Sequence, residues 1–488
     1  MLFNLSKSKH LLSPHNDFLK LTEEDIDDGK YPIIPTYTEG IKILGSYIGI
    51  DTFVKKECIS SIEQYGNIIP LLENFNNDES FILLRQCIIA RPNYLMRTIP
   101  PTLTVEAAQI FDEKVDNQLC NMIYLNELPT YSQDIKHLPC RDGGLGLTSM
   151  TKINKAAYQS SFFEAIPEME SNTLKIFLTI DKAKHEDFDM KLKNQSSQKD
   201  LTKKINEQIH NKLKATLPSN QHKALFISNA TYGTANWLSS ACNFKRFLKL
   251  NHDDFTEGLR LRLLIPIFSY NILPNTKCIC SKPIDKDPFH GLTCKNHQGI
   301  KIQTHNEIRD GLANLIKTIS PYAQVKIEQT LGKMANEERA NPTTPKTDKS
   351  TEIRCDIWVA DGSDLKLLDV KVTCPASQTN IAKNSHTTPH VANILSHKLK
   401  MDHYKNYLIE KFHHTITPFV LETSGRLSKE SEKYLDKIFG LAKAIPSFNK
   451  DLQLIRKEFI LHINNILVRS NAKLVRYSRA HGADVSNY

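Results

Sequence analysis

The stretch RCDIWVADGSDLKLLDVKV, Arg354 to Val372, constrains this chain more than any other. Ile353, Cys355, Ile357 and Val359 alternate with Arg354, Asp356 and Trp358. Beyond a polar turn, Leu368, Val370 and Val372 alternate with Leu367, Asp369 and Lys371. A period of two predicts two β-strands around that turn. Asp369 and Lys371 then share one sheet face, and a hairpin brings Asp356 near them. Two carboxylates and a lysine on one face are the working parts of metal-dependent phosphodiester hydrolysis. The carboxylates Asp356 and Asp369 hold a hard cation, Mg²⁺ or Mn²⁺, through oxygen. The lysine orients or activates water and offsets phosphate charge. Asp-x-Lys also occurs on ordinary solvated strands, so the neighbouring segments have to decide.

Upstream lie Cys278-Ile-Cys280 and His290-Gly-Leu-Thr-Cys294. Three thiolates and an imidazole suit a tetrahedral, structural Zn²⁺. The segment holding them is short, polar and proline-containing, so it has little core of its own and folds around the ion. The one-residue gap of Cys-x-Cys is tighter than usual; His297 is the alternative ligand. Asp287 is placed to orient His290.

In the segment from Thr304 to Lys317, Ile308, Leu312, Leu315 and Ile316 mark one face of an amphipathic helix. Glu307, at the edge of that face, is either a third metal ligand or a first-turn acid favoured by the helix dipole. Val391 to Lys411 predicts another helix, with Ile394, His397, Met401, Tyr404 and Leu408 as its buried stripe. Thr415 to Glu422 predicts a strand closed by Thr423-Ser-Gly-Arg426. With a strand at Ala323 to Gln329, the order is helix, three strands, helix, strand, the middle pair carrying the acids.

In that order the chain offers CICSKPIDKDPFHGLTC, THNEI, RCDIWVA, LLDVKVTCPAS, HKLKMDHY and FVLETSGRL. This series resembles the restriction-like PD-(D/E)xK endonuclease fold. It resembles in particular the C-terminal half of site-specific non-LTR retrotransposon polyproteins, where a zinc knuckle precedes such a nuclease. The chain departs in having Cys355 where the proline often stands and Thr304 where an arginine is common. Further upstream LGSYIGI, LRQCIIARPNYLMRTIPP and LPCRDGGLGL look like the last palm strand and thumb of a reverse transcriptase, and WLSS and LRLRLL like the helical linker before the knuckle. The resemblance implies a multidomain α+β protein: a largely helical N-terminal half, a small CCHC zinc knuckle, then a PD-(D/E)xK-like α/β core with a mixed sheet. The expected bounds are 1–40 leader, 41–150 thumb-like remnant, 151–277 helical linker, 278–297 knuckle, 298–445 nuclease and 446–488 basic helical tail.

A reverse transcriptase needs an aromatic-x-Asp-Asp turn to hold its two metal ions. The pairs here, Asp27-Asp28 and Asp253-Asp254, lack the aromatic and the strand pattern, so no templated synthesis is expected. Net charge is +9, which favours a polyanionic partner. DNA is the expected partner, with element RNA and a separate polymerase chain as further ones. The chain has no apolar run of membrane length and no signal-peptide h-region. Scattered cysteines suit a reducing compartment, and the resemblance implies the nucleus. Segments 183–222 and 333–352 read as polar connectors, the first either exposed helix or linker. Arg469, Lys473, Arg476 and Arg479 form a basic stripe, either tracking phosphates or merely solvated.

Asp356 and Asp369 are therefore the expected metal ligands, with Glu307 assisting and Lys371 as the working lysine. Lys398, on the following helix, is its rival. A zinc-stabilised nucleic-acid binder without catalysis is the alternative reading.

Overall fold

The computed structural model describes residues 10–12, 33–35, 40–165, 197–243, 245, 248–267, 277–278, 280–284, 287–330, 354–361, 364–405, 416–445 and 451–481. The connector 333–352, residues 183–196, Asp27-Asp28, Ile353 and Leu408 lie outside them. The described residues are mostly helical, with a small open mixed sheet, and none of their helices is long and apolar enough to cross a membrane.

The chain forms two compact units, each built from separated segments. The first takes Met1–Phe75, Leu83–Glu127 and Leu147–Ile209; the second takes Asn76–Ile82, Leu128–Gly146 and His210–Tyr488. In the first unit, strands β1 (Gly40–Ile43) and β2 (Ser46–Gly49) form a hairpin. Its turn residues, Leu44 and Gly45, both have positive φ, as tight hairpin turns require. Helix α1 (Asp51–Gly66) packs on α2 (Pro101–Met122), and α2 on α3 (Met150–Ala165). Asp112 of α2 accepts from the Met150 and Thr151 N–H groups at 2.8 and 3.0 Å. A carboxylate thus satisfies the otherwise orphaned donors at the start of α3. The polar segment 183–222 contains a helix, Gln198–Thr216.

The second unit explains the glycine-rich LPCRDGGLG segment. Buried Arg262 donates to Gly144 O at 2.9 Å and Cys140 O at 2.7 Å. A Cβ at Gly144 would fall 2.1 Å from Leu138 O, so the loop closes only with glycine there. Asp253-Asp254 open helix α5 (His252–Arg262) behind the Asn251 cap, an arrangement unrelated to a polymerase turn. On helix α4 (Asn220–Asn229), His222 is buried between Tyr131 and Phe289.

Burial pushes His222 down to about 4. A histidine with a depressed folded pKa contributes stability that is complete above its unfolded value and lost as pH falls toward the folded one. Between about pH 6.5 and 4 the second unit should therefore lose up to ~3 kcal/mol on this account. Denaturant unfolding across that range should show it as a difference, the unaltered protein losing stability relative to His222→Gln as pH falls. An equal slope in the variant would assign the acid sensitivity elsewhere.

The sheet is formed by β3 (Gln324–Thr330), β4 (Arg354–Asp361), β5 (Asp364–Thr373) and β6 (Ile416–Glu422), in that spatial order. β4 runs antiparallel to both β3 and β5, with Ile357 opposite Leu368 and Asp361 opposite Asp364. β6 joins β5 in parallel, Asp369 level with Pro418. Parallel neighbours need a crossover, supplied by α6 (Val391–Tyr404). On one face Ile357, Val359, Leu368 and Val370 form a core with α7 (Gln298–Ile319, earlier in the chain), α8 (Lys429–Lys443) and α9 (Leu452–His481). α7 buries Ile308, Leu312, Leu315 and Ile316, as its spacing predicts. On the other face, Trp358, Leu365 and Leu367 meet Met401 and Tyr404 of α6.

The stripe expected on that crossover helix holds at Met401 and Tyr404, which pack inward, but not at Ile394. Ile394 is 60% exposed, and the buried positions are Ala392, Asn393, Ser396 and Tyr404. The helix meets an apolar cluster through Met401 and Tyr404 and the Asp369 carboxylate through Lys400, so its inner face is mixed. The basic stripe of α9 is divided as well. Arg476 pairs with buried Asp254 at 2.6 Å and Arg479 with Glu257, whereas Arg469 and Lys473 line a narrow groove beside Glu307. Half of that stripe is internal scaffolding.

Candidate metal centre and acid cluster

Cys278, Cys280, His290 and Cys294 converge, their ligand atoms all lying within 4.8 Å of one another. The Cys278 backbone bonds Lys282 O at 2.9 Å and Ser281 N–H returns to Cys278 O at 2.7 Å, with Ser281 at positive φ. This tight turn places the first two thiols. One helical turn, with Cys294 N–H on His290 O at 2.8 Å, places the other two ligands. Cys278 Sγ and Cys294 Sγ are 3.6 Å apart and Cys280 Sγ is 3.1 Å from His290 Nε2. The edge of a zinc–sulfur tetrahedron is about 3.7 Å, given bonds of about 2.3 Å. This set could hold a metal ion such as zinc, and the cradle is close to the size needed. The Asp287 carboxylate stands 3.6 Å from His290 Nδ1, in position to orient the ring. Burial raises the Cys280 thiol, but the Lys282 N–H and His290 outweigh it and bring it down to about 7, favouring the ligating thiolate. His297 points away: its Nδ1 bonds Gly291 O at 2.9 Å and its ring meets Tyr477 edge-on.

The acids meet at the end of the β4–β5 ladder. Asp369 is 1% exposed. Asp356 accepts from the Val370 N–H at 2.6 Å and from His305 Nε2–H at 3.2 Å. Burial would raise Asp356, yet the hydrogen bonds from His305 and Asp369 hold it below the usual carboxylate range. Asp369 moves the other way, to about 6, first by burial and then by the adjacent Asp356. Two facing carboxylates cannot both ionise cheaply, so Asp356 ionises first and Asp369 at higher pH.

The lysine on Asp369 is Lys400. Its Nζ donates to both Asp369 oxygens at 2.8 Å. Lys400 lies in the same i, i+4 row of α6 as Ala392, Ser396 and Tyr404. Lys398 sits two residues, about 200°, around the helix, and is exposed. Lys371 is exposed on β5 beside a cavity that also borders His305; its pKa is lowered by partial burial and then by Lys400. Glu307 lies away from the acid pair: it accepts from Gln303 at 2.8 Å and borders the groove with Arg469 and Lys473. The structure therefore joins Asp356, Asp369, His305 and Lys400, with Tyr404 bonding Arg354 O at 2.9 Å nearby.

His305 and Lys400 escape sequence reasoning although both stand in quoted segments, THNEI and HKLKMDHY. Lys400 follows Ser396 by one turn, and the phase of that polar row was the signal. The sequence matches no family model and no curated protein.

Proposed function

We propose that this protein is a metal-dependent DNA endonuclease of restriction-like PD-(D/E)xK type, acting in the integration of a retroelement. The observation that carries the reading is the pair of buried Asp369 and half-buried Asp356, bonded to Lys400 and His305. Asp356 and Asp369 would hold Mg²⁺ or Mn²⁺, which supplies Lewis-acid polarisation of the scissile phosphate. Lys400 brings a positive charge to the phosphate and the attacking water, the role expected at first of Lys371. His305 fixes the rotamer of Asp356. The Cys/His cluster holds structural Zn²⁺ beside the first turn of α7, the helix that carries His305. The DNA nick would leave a 3′-hydroxyl to prime copying of element RNA by a polymerase chain, and the site of action would be the nucleus.

One observation favours the non-catalytic reading, a zinc-stabilised nucleic-acid binder. Glu307 is turned toward α9, so the pair has no third acid from α7.

The lysines separate the possibilities. With supercoiled plasmid and Mg²⁺, Lys400→Ala should lower the nicking rate roughly a hundredfold or more, the scale of a lost electrostatic or proton-transfer group. Lys398→Ala should nick like the unaltered protein. Full activity in Lys400→Ala with loss in Lys371→Ala would return the role to the strand.

A further inference from the structure

A cavity of about 430 Å³ lies between the Cys/His segment, the first turns of α7, β5 and α9. Ligand-sized pockets run from ~300 to 1,000 Å³, so a nucleotide-sized group fits. Its charged lining is one-signed: Lys301, Lys371 and His305 border it beside the Cys374 thiol, and no carboxylate does. Lys301 is anchored at the floor by a 2.8 Å bond from Nζ to Cys294 O, which leaves two ammonium protons for a ligand. Asn471, Thr373 and Ser377 add polar groups, while Leu292, Ile302 and Leu474 make an apolar wall. A cationic floor with an apolar side suits a phosphate attached to a sugar.

The cavity shares His305 and Lys371 with the acid cluster. His305 donates to Asp356, and Lys371 stands two residues from Asp369 on the same strand. A strand whose phosphate lay at the acid pair would carry a neighbouring phosphate toward Lys301. We infer that this cavity seats an internucleotide phosphate of a bound nucleic-acid strand, next to the one presented to Asp356 and Asp369. Lys301 ties that seat to the Cys/His segment through Cys294. The assignment of the strand as substrate rests on the proposed nuclease reading; the seat itself is tested by binding, which needs no cleavage.

The test uses the full-length, zinc-loaded protein and a fluorescent DNA duplex, with anisotropy followed as salt is raised. Lys301→Gln should weaken binding about tenfold, the scale of one lost charge-assisted hydrogen bond, and reduce the salt slope by about 0.9, the value of one phosphate contact. Lys301 also braces Cys294 O, so Gln298→Glu serves as the second variant. Gln298 is exposed at the rim and opens α7, where an added acid favours the helix; it should weaken binding similarly. Lys443→Gln, which removes a charge from α8 outside the cavity, should leave the slope alone.

Placing a neutral methylphosphonate at each position in turn should reveal one phosphate whose neutralisation weakens the unaltered protein but not Lys301→Gln. Unchanged affinity and slope in both cavity variants would overturn the inference. So would Lys301-dependent binding of inorganic phosphate with no methylphosphonate effect, which would make the ligand a small free anion. Phosphate-dependent binding without any nicking would keep the seat and reject the nuclease.

Discussion

Cys294→Ala is expected to unfold the segment from Lys277 to His297 and to weaken everything built on it. The segment has a tight turn, one helical turn and few apolar residues of its own, with Ile284, Phe289 and Leu292 as its buried contributions. A bound metal would supply what that core lacks: structural Zn²⁺ sites contribute on the order of 10 kcal/mol or more at neutral pH. With three ligands left, most of that is lost. The unaltered protein should contain about one equivalent of zinc, Cys294→Ala much less, and a strong chelator should reproduce the variant's proteolytic sensitivity near residues 277–297. Acidification should release the metal, because thiolates and imidazole bind protons in competition with it. Full zinc content in Cys294→Ala would show that Cys294 is not a ligand. His297 is poorly placed as a replacement, since its Nδ1 is engaged with Gly291 O.

The hairpin and its acids were legible because β-alternation is a local property. Ile357, Val359, Leu368 and Val370 announce one face, and Asp356, Asp369 and Lys371 fall on the other without tertiary information. The Cys/His cluster was legible because thiol and imidazole side chains so close in sequence have few other uses. α6 was misread for a physical reason. Hydrophobic periodicity reports a helix's inner face only when that face meets an apolar core. Here the inner row is Ala392, Ser396, Lys400 and Tyr404, with Lys400 on the Asp369 carboxylate and only Tyr404 in an apolar cluster, while Ile394 and Leu399 are exposed. Alternation alone points to Lys371, which shares a strand face with Asp369, whereas the lysine that bonds Asp369 is Lys400. His305, not Glu307, is the α7 side chain that reaches the acids. Two residues on α7 are again about 200° apart, enough to separate the acid pair from the groove at α9. The division into two units built from separated segments had no sequence signal, since it depends on contacts between residues far apart in the chain.

The second large effect concerns Asp369. Asp369→Asn keeps the volume and removes the carboxylate that faces both Asp356 and Lys400. Nicking should fall by about a thousandfold or more, because metal-held charge stabilisation is worth several kcal/mol. Stability should change far less: the buried carboxylate is already disfavoured, its pKa standing at about 6. An ionisable group whose folded pKa is raised loses stabilisation as pH rises through the window between its unfolded and folded values, here about 4 to 6. His222 acts in the opposite direction over the same window, so the loss is read as a difference: from about pH 4 to 6 the stability of Asp369→Asn should rise relative to that of the unaltered protein. Retained nicking in a folded Asp369→Asn protein would remove the acid pair from the chemistry.

The most direct measurement is the conversion of supercoiled plasmid to open circles by purified, zinc-loaded protein. Open circles are expected with Mg²⁺ or Mn²⁺, none without a divalent cation, and none from Asp369→Asn under either condition. Plasmid that stays supercoiled with both metals while DNA binding persists would contradict the nuclease reading and leave the zinc-stabilised binder in its place.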